Sequence, residues 1–144
     1  MVDPKTADEF PASIELFYFA YRAFTSHPDK VLAQRGLGRV HHRILYFVGR
    51  RPGMAVSALQ DTLQVSKQAL NAPLRQLIEM KLVSVAAAPH DRRVKQLSLT
   101  EKGGQLEQQL TATQTKQLDA AFKSVGKEAA MGWRQVMQKM AGMP

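Results

Sequence analysis

Apolar residues recur along this chain with two different periods, and each change of period marks the edge of an element. Over residues 10–24, Phe10, Ile14, Phe17, Tyr18, Tyr21 and Phe24 form one stripe at helical spacing. Leu16, Phe19, Ala20 and Ala23 cover much of the opposite side. The pattern predicts a helix opening near Pro11, a residue tolerated at the first helical position. A helix apolar on both sides needs two apolar walls. In a chain of 144 residues, a partner subunit is the expected second wall. Pro28 is expected to open a short further helical piece, punctuated by Gly36 and Gly38. The next helix runs from about Arg39 to Arg50. Val40, Ile44, Leu45, Phe47 and Val48 make its core face, and Arg39, His42, Arg43, Tyr46 and Arg50 its polar face. Arg51-Pro52-Gly53 ends it.

Two short helices follow. The first contains Val56, Leu59 and Leu63. The second opens at Ser66, a good N-cap, and reaches about residue 80, with Leu70, Leu74, Leu77 and Ile78 facing inward. The short link over residues 62–65 predicts a helix-turn-helix. The period then shortens to two. Leu82, Val83 and Val85 predict a strand, Ala88-Pro89-His90-Asp91 a turn, and Val94, Leu97 and Leu99 a returning strand. A hairpin directly after a helix-turn-helix is the winged variant.

Thr100 is the expected cap of a long helix reaching about Phe122. Its apolar signal is weak, resting on Leu106 and Leu110. A last helix, from about Gly126 to Met140, carries Ala129, Trp133, Val136, Met137 and Met140 on one stripe. The expected fold is mainly α with a small β-hairpin wing: a winged helix-turn-helix flanked by N- and C-terminal dimerisation helices. We expect one domain over residues 1–144, with the winged core at about 36–102 and the dimerisation helices at about 10–34 and 103–144. Phe10, Ile14, Phe17, Trp133, Val136, Met137 and Met140 are the expected dimer contacts.

Charge sharpens this picture. The chain carries a formal charge of +8, and residues 35–102 hold all of it, with twelve Lys or Arg against four Asp or Glu. The flanks cancel. A basic block between two neutral helical arms is the footprint of a phosphate-binding module on a separate scaffold. Cysteine is absent, which excludes disulfides and thiolate metal sites. No run of about 18 apolar residues is present to span a membrane. The start, MVDPKTADEF, lacks a signal-peptide pattern, so a cytoplasmic location is expected.

Candidate chemistry follows from the elements. Gln68, Asn71 and Arg75 stand at i, i+3 and i+7 on the second helix of the motif, opposite its Leu face. That side would enter a major groove, where Gln and Asn can read adenine and Arg can read guanine. Ser66 and Lys67 at the helix tip are phosphate candidates. The plain alternative is a solvated polar face. Arg92 and Arg93 stand beside Asp91 at the wing, where an Arg can enter a narrow minor groove. The alternative there is a pair between Asp91 and one Arg. His90 and Lys95 are further backbone candidates, as is Ser57 near a helix start.

His41 and His42 are adjacent on a helix, about 100° apart, and cannot readily chelate one metal. His41 reads either as a hydrogen-bonded core histidine or as the polar anchor of an effector pocket with Tyr18 and Tyr21. His27, Asp29 and His90 lack a metal-ligand spacing. No Gly-rich phosphate loop follows a strand, and no Gly-x-Ser-x-Gly elbow occurs. No metal, cofactor or enzymatic activity is implied.

Three stretches carry a resemblance: GLGRVHHRIL from Gly36, LQVSKQALNAPLRQLIEMKLV from Leu63, and HDRRVKQLSLTEKG from His90. In this order they resemble the MarR family of winged helix-turn-helix transcription regulators, over roughly residues 12–140. The resemblance implies a homodimer on a pseudo-palindromic promoter site in double-stranded DNA, usually a repressor released by a small ligand. It also implies that Asp91 orients Arg93 while the wing tip reaches DNA. The chain departs from the family pattern at Gln64, where Gly is common, and at Ala55, where a Ser or Thr cap is common and Ser57 is the expected substitute. Pro73 lies inside the second motif helix, where it either kinks the helix or is absorbed by local relaxation. Two other readings compete: a small hydrolase or transferase using His41 and His42, and a winged-helix protein-interaction module that does not read DNA sequence.

Overall fold

The structure, a computed structural model, describes residues 4–144, with side chains from Glu9 onward. Among these residues the order is α1 (Pro4–Ala33), α2 (Arg39–Arg50), β1 (Met54–Ala55), α3 (Val56–Leu63), α4 (Lys67–Glu79), β2 (Val83–Ala88), β3 (Asp91–Leu99), α5 (Glu101–Val125) and α6 (Lys127–Met140). The chain divides into two compact units, one reaching to Thr111 and the other Ala112–Pro144. The division falls inside α5.

The first unit holds a continuous apolar core. Leu32 of α1, Ile44, Leu45 and Val48 of α2, Leu59 of α3 and Leu70, Leu74 and Leu77 of α4 are joined there by Leu82, Val83, Leu97, Leu106 and Leu110. These are the positions that helical and alternating periods select. Truncating any one of these leucines to Ala would cost about 2–5 kcal/mol.

Two expectations about α1 fail. The helix opens at Pro4 rather than near Pro11, and it does not restart at Pro28 but runs through it. An interior proline costs about 3 kcal/mol through a lost ladder bond and a ring clash. Pro28 is fully buried beside the core, and its apolar ring helps offset that cost. Pro11 lies on an exposed stretch, where water can satisfy the carbonyl it frees. α4 likewise runs unbroken through the half-buried Pro73.

The joints are set by a few backbone conformations. α1 ends in a Schellman motif: Leu37 N–H donates to Leu32 C=O at 2.9 Å and Gly36 N–H to Ala33 C=O at 3.1 Å. Gly36 supplies the left-handed φ of 72°. α4 ends in the same motif, with Leu82 N–H donating to Leu77 C=O and Lys81 N–H to Ile78 C=O. Here the left-handed residue is Lys81, at φ 61°. Between α3 and α4, Gln64 takes the left-handed conformation that Gly commonly fills, and its side chain donates to Asp61 C=O. Ala55 is the N-cap of α3 with no side-chain bond, and Ser57 does not replace it, because it already lies inside the helix.

The sheet has order β1-β3-β2 and is antiparallel. β1, two residues paired with Leu97 and Gln96, was not expected, because so short a strand has no period to read. In the hairpin, Ala88 pairs with Asp91 across a tighter turn, Pro89-His90, than the pattern suggested. The register then jumps: Ala87 pairs with Lys95, so Arg92, Arg93 and Val94 bulge from the wing. Thr100 caps α5, accepting from Gly103 N–H at 3.0 Å and donating to Lys81 C=O at 2.6 Å. Gly103 packs so closely on the Leu82 backbone that a Cβ there would collide with it.

In the second unit, Trp133 packs on Phe122 with ring centroids 5.3 Å apart, and the Arg134 guanidinium lies 4.8 Å over the Phe122 ring. Val125, Met131, Trp133, Val136 and Met140 remain exposed.

Candidate nucleic-acid interface

α4 is amphipathic in the sense a DNA-reading helix requires. Leu70, Leu74 and Leu77 are buried, and Lys67, Gln68, Asn71 and Arg75 are exposed. Ser66 sits at the N-cap, and its Oγ accepts from Ala69 N–H at 3.0 Å. This cap orders the first turn, which carries Lys67 and Gln68, and its orphan N–H groups favour anions. Among the described residues, neither Lys67 nor Arg75 has a carboxylate partner.

The wing separates its two arginines. Asp91 accepts from Arg93 at three points: the backbone N–H at 3.0 Å, Nε at 3.2 Å and Nη2 at 3.3 Å. Arg93 side-chain bonds, then its backbone bond, hold the Asp91 carboxyl below the usual carboxylate range. Arg92 has no such partner among the described residues and is exposed on the bulge. Lys95 and His90 are exposed on the same hairpin, and Ser57 is exposed in the first turn of α3.

Comparison with known proteins decides what this arrangement belongs to. The MarR family profile matches residues 35–94. The HTH-type transcriptional regulator PetP of Rhodobacter capsulatus is 42% identical over 135 residues, covering 94% of this chain and 81% of that protein. The chain belongs to the MarR family. It is a MarR-family helix-turn-helix transcriptional regulator. Solved structures that share the fold at 19% identity include two complexes. The S. aureus MepR–DNA complex has a TM-score of 0.72, with coverage of 89% of this chain and 95% of MepR. NadR in complex with 4-hydroxyphenylacetate has a TM-score of 0.73, with coverage of 89% and 91%.

In this MarR-family chain, the residues read from sequence as an effector site are placed differently from one another. Tyr18 is exposed. Tyr21 holds the joint between α1 and α2: its hydroxyl accepts from Arg43 Nη2 at 2.9 Å, and the Arg39 guanidinium lies 5.2 Å over its ring. His41 is 8% exposed, with both ring nitrogens engaged inside the fold. The hydrogen-bonded core histidine is therefore what the structure displays. A groove of about 580 Å³ is lined by α1 residues including Phe19, Arg22, Asp29 and Lys30, and by Arg39 of α2, but not by Tyr18, Tyr21 or His41. Asp29 and Arg39 pair across it at 2.9 Å. His42, half-buried on α2, is held below the ordinary histidine range by desolvation, against the attraction of Glu107 and Asp29.

Sequence reasoning missed Gln76. It looks like a surface residue one place after Arg75, yet it bonds His41 and Gly36. Helical phase gave no signal, since position 76 is turned about 100° from Leu77, toward the polar side of α4. No group of three His, Asp or Glu among the described residues is placed to hold a metal, and no described helix is long and apolar enough to cross a membrane.

Proposed function

We propose that this regulator is a homodimeric, sequence-specific repressor of a pseudo-palindromic promoter site, released by a small aromatic anion. One observation carries the reading: Lys67, Gln68, Asn71 and Arg75 line the exposed side of α4, with no carboxylate on either cation among the described residues. Such a face offers adenine and guanine readers flanked by a phosphate contact. Arg92 on the bulged wing and Lys95 extend the electrostatic term, with His90, Ser57 and Ser66 as backbone contacts. Arg93 acts through its clasp on Asp91.

The homodimer rests on exposed apolar surface. Ile14 is 71% and Leu16 69% exposed, and Phe10, Phe17, Tyr18 and Phe19 are open as well. So much contiguous apolar area is costly to leave in water, and a second copy is the natural cover. Val136 and Met140 of α6 add a second such surface, with Trp133 and the half-buried Met137. The effector reading rests on the α1–α2 groove, which joins one aromatic wall, Phe19, to the cations of Arg22 and Lys30, with Arg39 held by Asp29 in the same lining. The DNA-bound and ligand-bound relatives of the same fold support both binding modes. A gel shift on the chain's own promoter region tests the reading: we expect a saturable complex that outcompetes bulk DNA. A protein-interaction module without sequence reading would bind both DNAs alike.

A further inference from the structure

His41 and Gln76 stand 35 positions apart and meet across the α2–α4 contact. His41 is the third residue of α2. Its Nδ1 accepts from Gly38 N–H at 2.9 Å, the role Glu or Gln plays in a capping box. A ring nitrogen that accepts carries no hydrogen, so the neutral imidazole bears its proton on Nε2. That nitrogen lies 2.9 Å from Gln76 Oε1 and donates to it. The Gln76 amide is thereby oriented, and its Nε2 donates to Gly36 C=O at 3.3 Å. The chain of bonds starts on Gly38 and closes on Gly36, so it ties α4 to the corner between α1 and α2 at two points.

The core that α2 and α4 share is apolar, with Ile44, Leu45 and Val48 on one helix and Leu70, Leu74 and Leu77 on the other. Such contacts resist separation but tolerate small rolls and slides, whereas a satisfied polar link is directional. Gln76 is the neighbour of Arg75. Fixing its azimuth on α4 fixes the azimuth of Gln68, Asn71 and Arg75. At the other end, His41 is two residues from Arg39, which lines the α1–α2 groove.

We infer that the His41–Gln76 link is a positioning device that aims the recognition face of α4 and carries displacement of the α1–α2 corner to it. The inference rests on the proposed reading of DNA by α4. Neither residue touches DNA in this account. Both act through α4.

Gln76→Leu tests it, because it keeps the bulk and removes both bonds. Gln76→Glu keeps an acceptor for the His41 Nε2–H and serves as the conservative partner. Two properties are measured on each purified full chain: the ratio of affinities for the selected site and for bulk DNA, and the residual dipolar couplings of α4 amides relative to α2. We expect Gln76→Leu to lose roughly tenfold in the affinity ratio with bulk-DNA affinity unchanged, the size of a typical coupling effect. Its α4 couplings should shift together as a rigid helix. Gln76→Glu, which keeps the His41 bond and loses the donor to Gly36 C=O, should fall between Gln76→Leu and the wild type. Where the wild type prefers a sequence, an unchanged ratio in Gln76→Leu overturns the inference, whatever its melting temperature. If the wild type prefers no sequence, the DNA-reading proposal fails, and the couplings alone decide: unshifted α4 couplings overturn the link.

Discussion

Two adjacent arginines at the wing differ in what they are free to do. Arg93 is clasped by Asp91 at three points, and Arg92 is not. The clasp is exposed and adds little stability, so its value is orientation. Arg92→Ala should flatten the slope of log K against log salt by about one unit with no change in melting temperature. An unchanged slope would show that the bulge does not meet phosphate or groove. His42 makes a different prediction. Burial lowers its folded-state pKa below the ordinary 6.5, so the unfolded chain binds the proton first as pH falls. The associated stability is intact above about pH 6.5 and is lost as pH drops through the folded value. Melts taken from about pH 7.5 to about pH 5 should show a falling midpoint, and His42→Gln should shallow that fall. The same fall in the variant would assign the titration to another group.

At the scale of elements, Lys81 and Thr100 form the joint between α4 and α5 at the base of the wing. Lys81 adopts a left-handed conformation that costs a non-glycine residue about 1 kcal/mol or more. Lys81→Gly should raise stability by at most ~1 kcal/mol in urea melts, since the entropy glycine loses on folding offsets part of the relief. Gly103→Ala should lower it by about 1–3 kcal/mol, because the new Cβ meets the Leu82 backbone, which Thr100 already holds. The apolar period made α2, α3, α4 and the hairpin legible, because each buries one face in a shared core. It misplaced the start of α1 and broke it at Pro28, because a proline rule is local and the burial of Pro28 is not. Two-residue β1 was invisible for want of a period. Gln76 was missed because a polar side chain on a helix flank declares its partner only once His41, 35 residues away, is packed beside it. The DNA-facing candidates were readable, since exposure opposite a Leu stripe follows from spacing alone.

At the scale of the whole molecule, a +8 charge confined to residues 35–102 sits on a chain whose α1 leaves large apolar side chains in water. The proposed dimer would cover that apolar surface. Ile14→Asp and Met140→Asp should each shift sedimentation toward monomer and weaken operator binding, although neither residue meets DNA. Trp133→Ala is a less clean test, because Trp133 also packs on Phe122. Only a dimer sets two recognition helices about one helical turn, ~34 Å, apart. In the proposed complex α4 reads bases from Gln68, Asn71 and Arg75. Selection from a random duplex pool tests it most directly, run in parallel on the wild type and on Arg75→Ala. The wild type should enrich two inverted half-sites with centres about 10 base pairs apart, and Arg75→Ala should relax the preference at one symmetric pair of positions while keeping the rest. No enriched site, or an identical site for the variant, would contradict the account.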